Sequence, residues 1–529
     1  MAQAPSGCLH QVQTDGREVI QMAEMKRSLT LTGVTVNAMA FIAPGAFLWT
    51  TFQLQAAQVA GGTTTALDMV TGLLFAIVLA FLTAYSYSEL ARIYPKAGTG
   101  SSYYYAEAAL LDKESPKHRS YARLAKVSLG WISHLYYWIY PGIMVAYTAT
   151  LGGYLWTTIT GNALSYPVLA VLAIGFAVLS GAVAYRGMSG STNTALVITV
   201  IQLVAIAAFT IFCIYFRTTH PALHYEHAKA LSVVLPHSLI NVIYQSTIAI
   251  LLLVGFEAVT ALGAEAINPD RDIKLAVIIS LAIQALVAYM AQYFAANFVI
   301  AGETITATTA AGAKVAGYAA AAVDGAPIGT MLTNMVNTTF GGAGTAVSVI
   351  FAFTVLLALI GTTLASLNAG VRITYSMARD KEVPSVLGLL HGKFATPHAG
   401  IWILVAVSAA FGVYGVYSVD TVTQITLASN FGTFLVYGAS CLIAIVAFAS
   451  HKDRNVLKHY VVPGVGALMN LAELAGIVYL AIAAGGSTGK DAVIAIGMVV
   501  VWIVIGVAWI VLNPATKGQK IIGAPAEAV

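Results

Sequence analysis

Charged side chains are scarce in this sequence: Asp, Glu, Lys and Arg make up 9% of its 529 residues, where a soluble domain carries about a quarter. So few charges cannot coat a globule in water, which excludes a soluble enzyme, a nucleic-acid binder and a disordered scaffold. Cysteine is nearly absent too. Cys8, Cys213 and Cys441 stand far apart with no CxxC spacing, so neither a disulfide framework nor a metal site is expected. The chain has no GxxxxGK[ST] phosphate loop and no HExxH pair, which leaves ATP-driven pumping and zinc hydrolysis without their chemistry. Neither enzymatic activity nor a cofactor is expected. The first 28 residues are polar and lack an apolar core, so no cleavable signal peptide is expected.

What is abundant is apolar. Hydrophobic types make up 58% of the chain and the mean hydropathy is +0.81. Spans of about 20 apolar residues cross a bilayer as helices, and twelve such stretches are legible: 29 to 58, 66 to 92, 127 to 158, 165 to 187, 190 to 216, 239 to 267, 274 to 302, 344 to 378, 399 to 417, 421 to 449, 461 to 484 and 491 to 513. Continuous runs such as TALVITVIQLVAIAAFTIFCIYF contradict the short alternating strands of a barrel. The expected class is an all-α, multi-pass membrane protein. With the N-terminus inside, 22 of the 26 Lys and Arg fall on one side, and only Arg217, Lys229, Lys314 and Lys490 on the other. That asymmetry predicts a cell-membrane protein with both termini cytoplasmic. The segment Glu303–Ala343, rich in Ala, Gly and Thr, reads equally as an external loop with short helices over the mouth or as a linker.

Two spans have broken middles. The first carries Pro44 followed by Gly45, and the sixth carries Gly255 near Glu257 at a comparable depth. Proline removes a backbone donor and glycine tolerates non-helical dihedrals, so the first helix should break there. A carboxyl inside a span faces a polar pathway or a protein partner. Breaks five spans apart fit inverted repeats of five helices meeting at a midplane site.

Three segments resemble the amino acid, polyamine and organocation (APC) permeases: ARIYPKAGTGSSYYYAEAAL (Ala91–Leu110), VGFEAVTALGAEAINPDRDI (Val254–Ile273) and RITYSMARDKEVPSVLGLLHGKFATPHAG (Arg372–Gly400). The resemblance implies a leucine-transporter-like fold: a cytoplasmic tail at 1 to 28, repeats at 29 to 216 and 239 to 450, two further spans in 461 to 513 and a C-tail at 514 to 529. It also implies a bundle of spans one, two, six and seven moving against spans three, four, eight and nine. The family's substrate-carboxylate motif falls on Ala43, Pro44, Gly45, Ala46 and Phe47, where the amides of a half-helix favour an anion. Its ammonium-accepting carbonyls fall on Leu252, Leu253 and Val254 beside Gly255, and its gate on Leu251. Three departures stand out. Pro44 removes one amide, Leu251 replaces an aromatic gate, and Gln202 occupies the place of a lysine found in many proton-coupled members.

Other residues carry weaker signals. Glu257 is the candidate proton-handling group or, equally, a hydrogen-bonded tie between helices. Tyr136, Tyr140 and Tyr147 share a face of span three with Trp138 turned away; they line a substrate path or pack. Thr362, Thr363 and Ser366 offer hydroxyls for a sodium ion or bond back to their own helix, and Asn430 and Phe431 in span ten are weaker versions of that idea. His134 reads as a local hydrogen-bond partner. Asp68, Glu89 and Glu265 are expected to be solvated near helix ends, unlike Glu473.

The expected activity is secondary transport of an amino acid by alternating access, as proton-coupled symport or exchange. The expected partners are that small molecule, H+ or Na+, and the bilayer, but no nucleic acid. A polyamine or organic-cation permease is the alternative, and a transport-dead amine sensor the contrasting class. A channel would show rings of like charge or a repeated pore loop, and neither is present in the sequence.

Overall fold

Apolar runs too poor in charge for water fold as helices because only a helix satisfies its backbone within one segment. The computed structural model describes residues 29–512 except 43–44, 46–47, 95–100, 112–119, 188–191, 221–230, 263–265, 301–304, 310–311, 393 and 395. The tails at 1–28 and 513–529, and Ala43, Pro44, Ala46, Phe47 and Glu265, lie outside the described residues.

The first apolar stretch is two helices, α1 (Leu31–Ile42) and α2 (Leu48–Ala57), followed by a short hairpin of β1 (Val59–Ala60) and β2 (Thr63–Thr64). Next come α3 (Met69–Ile93), a loop helix α4 (Ser102–Leu111), and the long α5 (Ser120–Thr160), α6 (Tyr166–Tyr185) and α7 (Thr192–Thr219). The sixth stretch is α8 (Leu239–Ala249), one 3₁₀ turn (Ile250–Leu252), a turn at 253–255 and a 3₁₀ helix (Phe256–Leu262). After α9 (Pro269–Ile300), a hairpin of β3 (Thr306–Thr308) and β4 (Lys314–Ala316) precedes α10 (Tyr318–Val323) and α11 (Pro327–Phe340). Then α12 (Gly344–Arg379), α13 (His398–Gly415), α14 (Val419–Phe448), α15 (Val462–Tyr479) and α16 (Gly486–Leu512) complete the chain.

Among the described residues, nine helices are long and apolar enough to cross a membrane, and Leu31–Phe41 and Leu239–Leu252 are shorter apolar helices. Bare side chains such as Val171 (68% exposed) and Ile211 (67%) are stable only against lipid, since nothing polar screens them.

Helices pack closely through small residues. A Cβ on Gly142 would meet Phe411 Cβ at 2.5 Å, joining α5 to α13, and one on Gly370 would meet Leu404 Cδ2 at 2.9 Å, joining α12 to α13. A second set of helices is tied by buried amides. Gln245 Nε2 donates to the Gln55 carbonyl (2.9 Å) and Thr65 Oγ1 (2.7 Å), Gln292 Nε2 donates to Gln55 Oε1 (2.6 Å), and Gln284 Nε2 donates to the Leu252 carbonyl (2.8 Å). These bonds link α2, the segment before α3, α8 and α9.

The described part of the 303–343 segment packs as a cap rather than hanging as a linker. Its helices α10 and α11 lie on α2, where Trp49 stacks on Phe351 (5.7 Å, 19°) and crosses Tyr154 edge-on (5.5 Å).

Candidate functional site

The two broken helices meet. Gly45 sits in the gap between α1 and α2 with φ +89°, and Gly255 follows the α8 turn with φ +121°, backbone states that L side chains rarely adopt. A Cβ on Gly255 would lie 2.2 Å from Phe41 Cδ1, and one on Gly45 would lie 2.9 Å from Ile206 Cδ1. The glycines therefore let the turn of one broken span press against the last helical turn of the other, with α7 behind. Phe41 stacks on Tyr140 (6.0 Å, 12°) and meets Tyr137 edge-on (6.4 Å), so aromatic faces of α5 border the junction.

Glu257, 2% exposed, begins the 3₁₀ helix beyond the break. Its Oε1 accepts from the hydroxyls of Tyr136 (3.2 Å) and Tyr137 (3.3 Å), and its Oε2 from the Tyr437 hydroxyl (2.6 Å) and the Gly255 N–H (3.1 Å). Four donors converge on two oxygens, tying the sixth stretch to α5 and α14. Beneath the carboxylate lies a cavity of about 10 Å³ bordered by Ser101, Ser102, Ser133 and Tyr87, enough for about one water. The start of α4 closes its floor: Ser102 Oγ bonds Tyr87 Oη (2.5 Å) and Ser440 Oγ (3.0 Å), and Ser101 Oγ bonds Thr260 Oγ1 (3.0 Å).

Leu251, Leu252, Leu253 and Val254 are all buried at the turn. One of the three expected carbonyl acceptors, that of Leu252, is already held by Gln284. Gln202 is buried on α7 one turn from Ile206, and among the described residues its Oε1 has no hydrogen-bond partner. Gly361 faces the Ala40 carbonyl at 4.0 Å, which brings the next residues of α12 alongside the first break. There Thr362, Thr363 and Ser366 donate to the carbonyls of Ala358 (3.1 Å), Leu359 (2.7 Å) and Thr363 (3.0 Å). Asn430 Nδ2 donates to the Thr247 carbonyl (2.7 Å), and His134 pairs with Thr374 (3.1 Å).

Sequence reasoning missed Tyr137, Tyr437 and Phe41. Tyr437 lies in another span, and Tyr137 is off the stripe of Tyr136 and Tyr140, so helical spacing could not gather them around one acid.

Two expectations need correction. Asp68 (1% exposed) and Glu89 (3%) are buried rather than solvated, because each has donors in other elements. Asp68 Oδ1 accepts from the His237 N–H (2.7 Å), while Glu89 pairs with Arg92 (2.9 Å) and Lys274. Lys126 is likewise more than a basic-loop charge: it bridges Glu107 (2.6 Å) and Asp380 (2.9 Å) under the rings of Tyr103 and Tyr104, clamping α4 and α5 to the end of α12.

A family model described as "Amino acid permease" matches residues 28–507. The methylthioribose transporter of Bacillus subtilis (strain 168) is 24% identical over 376 residues, 70% of this chain and 72% of that protein. The low-affinity putrescine importer PlaP of Escherichia coli (strain K12) is 25% identical over 439 residues, 82% and 83% of the two chains. The branched-chain amino acid permease BcaP of Lactococcus lactis subsp. cremoris (strain MG1363) is 24% identical over 248 residues, 47% and 48% of the two chains.

Proposed function

The chain belongs to the amino acid permease family, and on that premise we propose that it is a secondary transporter carrying an amino acid by alternating access. The observation that carries this reading is the pair of glycine-hinged breaks, at Gly45 and Gly255, brought together where Gly255 presses on Phe41 at the end of α1. A broken helix exposes unpaired amides at one half-helix and carbonyls at the other, so a zwitterion can be held without a charged side chain. In this proposal the carboxylate meets the backbone at 43–46 and the ammonium meets the carbonyls of Leu253 and Val254.

The fold proposed for this cycle has twelve spans, with inverted repeats at 29–216 and 239–450, two added spans and both termini cytoplasmic. The glutamine bonds that link α2, α8 and α9 support treating spans one, two, six and seven as one moving body. Glu257 then fastens that body to α5 and α14. A carboxylate accepts all four of its donors, whereas a protonated carboxyl must use one oxygen as a donor itself. Protonation would therefore release part of this fastening, which is how we propose that a proton couples to the movement, in symport or exchange. Thr362, Thr363, Ser366, Gln202 and Tyr140 are the further coupling or gating residues of this proposal.

The relatives' names span a sulfur-containing sugar, a diamine and branched-chain amino acids, so substrate choice rests on the site. Both oxygens of Glu257 are engaged, which disfavours a diamine that needs a free acid. The stacked faces of Phe41 and Tyr140 favour the second reading, an organic amine held by cation–π contact.

Uptake of radiolabelled amino acids and putrescine into proteoliposomes, under imposed proton or sodium gradients, tests the choice. Saturable, proton-driven amino-acid uptake is expected. Putrescine uptake with no amino-acid uptake or exchange would overturn the main reading, and binding without any flux would make the protein a sensor.

A further inference from the structure

At the end of the bundle that carries the basic loops, α3, α9 and the connection from α14 to α15 enclose a cavity of about 470 Å³. Glu89 forms its floor, with a side chain only 4% exposed, and its charge is used by Arg92 and Lys274. Around the opening stand Arg92, Lys274, Arg454 and Lys458. Asp453 lies against Arg92 at 3.4 Å and His451 at 4.0 Å, but among the described residues no carboxylate lies within ion-pair distance of Arg454 or Lys458. Four cations thus face two carboxylates. The local excess is +2 with His459 neutral.

His459 contributes a rigid wall. Its Nδ1 accepts from the Asn455 N–H (2.9 Å), and its ring stacks on Phe448 (3.7 Å, 10°), over which Arg92 also lies (5.6 Å). The segment turns through one π-helical turn at Leu457–Val461, a distortion that recurs at functional sites. Immediately beside the cations the surface is apolar and bare: Leu275, Val456, Leu457 and Val461 are all exposed. On a membrane protein, such a strip faces acyl chains.

We infer that this cavity binds the phosphoryl headgroup of an anionic phospholipid, with Arg454 and Lys458 as the unpaired partners and the apolar strip receiving the acyl chains. The phosphate chemistry alone would also suit free inorganic phosphate. The contiguous lipid-facing strip selects the lipid, since a soluble anion has no use for it. Basic pockets between helices at the cytoplasmic side are suited to such headgroups. The bound lipid would bridge the moving α3 and α9 to the α14–α15 connection.

The test uses the full-length protein in neutral detergent, titrated with phosphatidylglycerol or phosphatidylcholine and read by native mass spectrometry and thermal unfolding. Phosphatidylglycerol is expected to bind and raise Tm where phosphatidylcholine does not. In Arg454→Gln/Lys458→Gln the dissociation constant should rise by roughly thirtyfold, from two cations each contributing near a membrane anion. Lys452→Gln, exposed and outside the cavity, should leave it unchanged. Equal binding by the double variant and wild type, or an equal loss in Lys452→Gln, overturns the site. Inorganic phosphate raising Tm and displacing phosphatidylglycerol at millimolar concentration overturns the lipid assignment in favour of a soluble anion.

Discussion

Glu257 has more donors than a neutral side chain could use. In Glu257→Gln the amide keeps one accepting oxygen, so the two donors at the other atom lose their acceptor. Each buried orphan costs about 1–3 kcal/mol. The variant should unfold at lower temperature and lose gradient-driven accumulation, measured by thermal unfolding in detergent and by uptake into proteoliposomes. A folded Gln variant with undiminished accumulation would remove Glu257 from coupling. Gly255 is a second residue-scale constraint. Gly255→Ala places a methyl 2.2 Å from Phe41 Cδ1 at φ +121°, and the dihedral strain alone is about 1–3 kcal/mol. Uptake per folded transporter should fall roughly ten- to a hundredfold, and adding Phe41→Ala should relieve the clash without restoring transport, because the backbone strain persists.

At the scale of elements, the cap of α10 and α11 is hinged on Asp324. Its Oδ1 accepts the Ala326 N–H (2.8 Å). Burial pushes its carboxyl above the usual range, offset in part by the Thr330 hydroxyl and that N–H. A carboxyl raised by folding lends stability that is full below its unfolded value of about 3.9 and is lost as pH rises through the folded value. The cap should therefore be better protected in mild acid than at neutral pH. Hydrogen exchange over residues 318–340 at pH 5 and 7.5, corrected for intrinsic rates, measures this. Asp324→Asn retains an acceptor for Ala326 and should abolish the difference, raising protection at pH 7.5 to its level at pH 5. In sequence the cap is open to two readings because its Ala, Gly and Thr name no partner, and the apolar face of α11 (Ile328, Met331, Leu332, Met335 and Val336) finds its cover only in the fold. What fixes it is the close approach of α11 to the rings beneath: a Cβ on Gly329 would stand 2.4 Å from Trp49 Cζ3 and 2.6 Å from Tyr154 Oη.

For the whole molecule, the scarce charges carry the proposed orientation. If 22 of the 26 cations lie on the cytoplasmic side, as the twelve-span reading of the sequence expects, a cysteine replacing Lys452 should react with a membrane-impermeant maleimide only after cells are opened, and one replacing Lys314 should react in intact cells. The background variant is Cys8→Ser, since Cys213 and Cys441 are buried. Labelling of the Lys452 variant in intact cells would reverse the topology.

Much of this was determined by the sequence. A chain with 9% charge and apolar runs of twenty residues has to form membrane helices, because lipid offers no partner for an open backbone. Pro44, Gly45 and Gly255 announce their breaks because their dihedral limits are local properties. Partnership is not local. That Glu257 would gather Tyr136, Tyr137 and Tyr437, that Asp68 and Glu89 would be buried by donors from His237 and Lys274, and that Arg454 and Lys458 would overhang a cavity with Arg92 all depend on which helix ends the fold brings together. Only the tertiary structure decided these, since a hydrogen bond or an ion pair extends a few ångströms in space while its partners stand hundreds of residues apart in the chain.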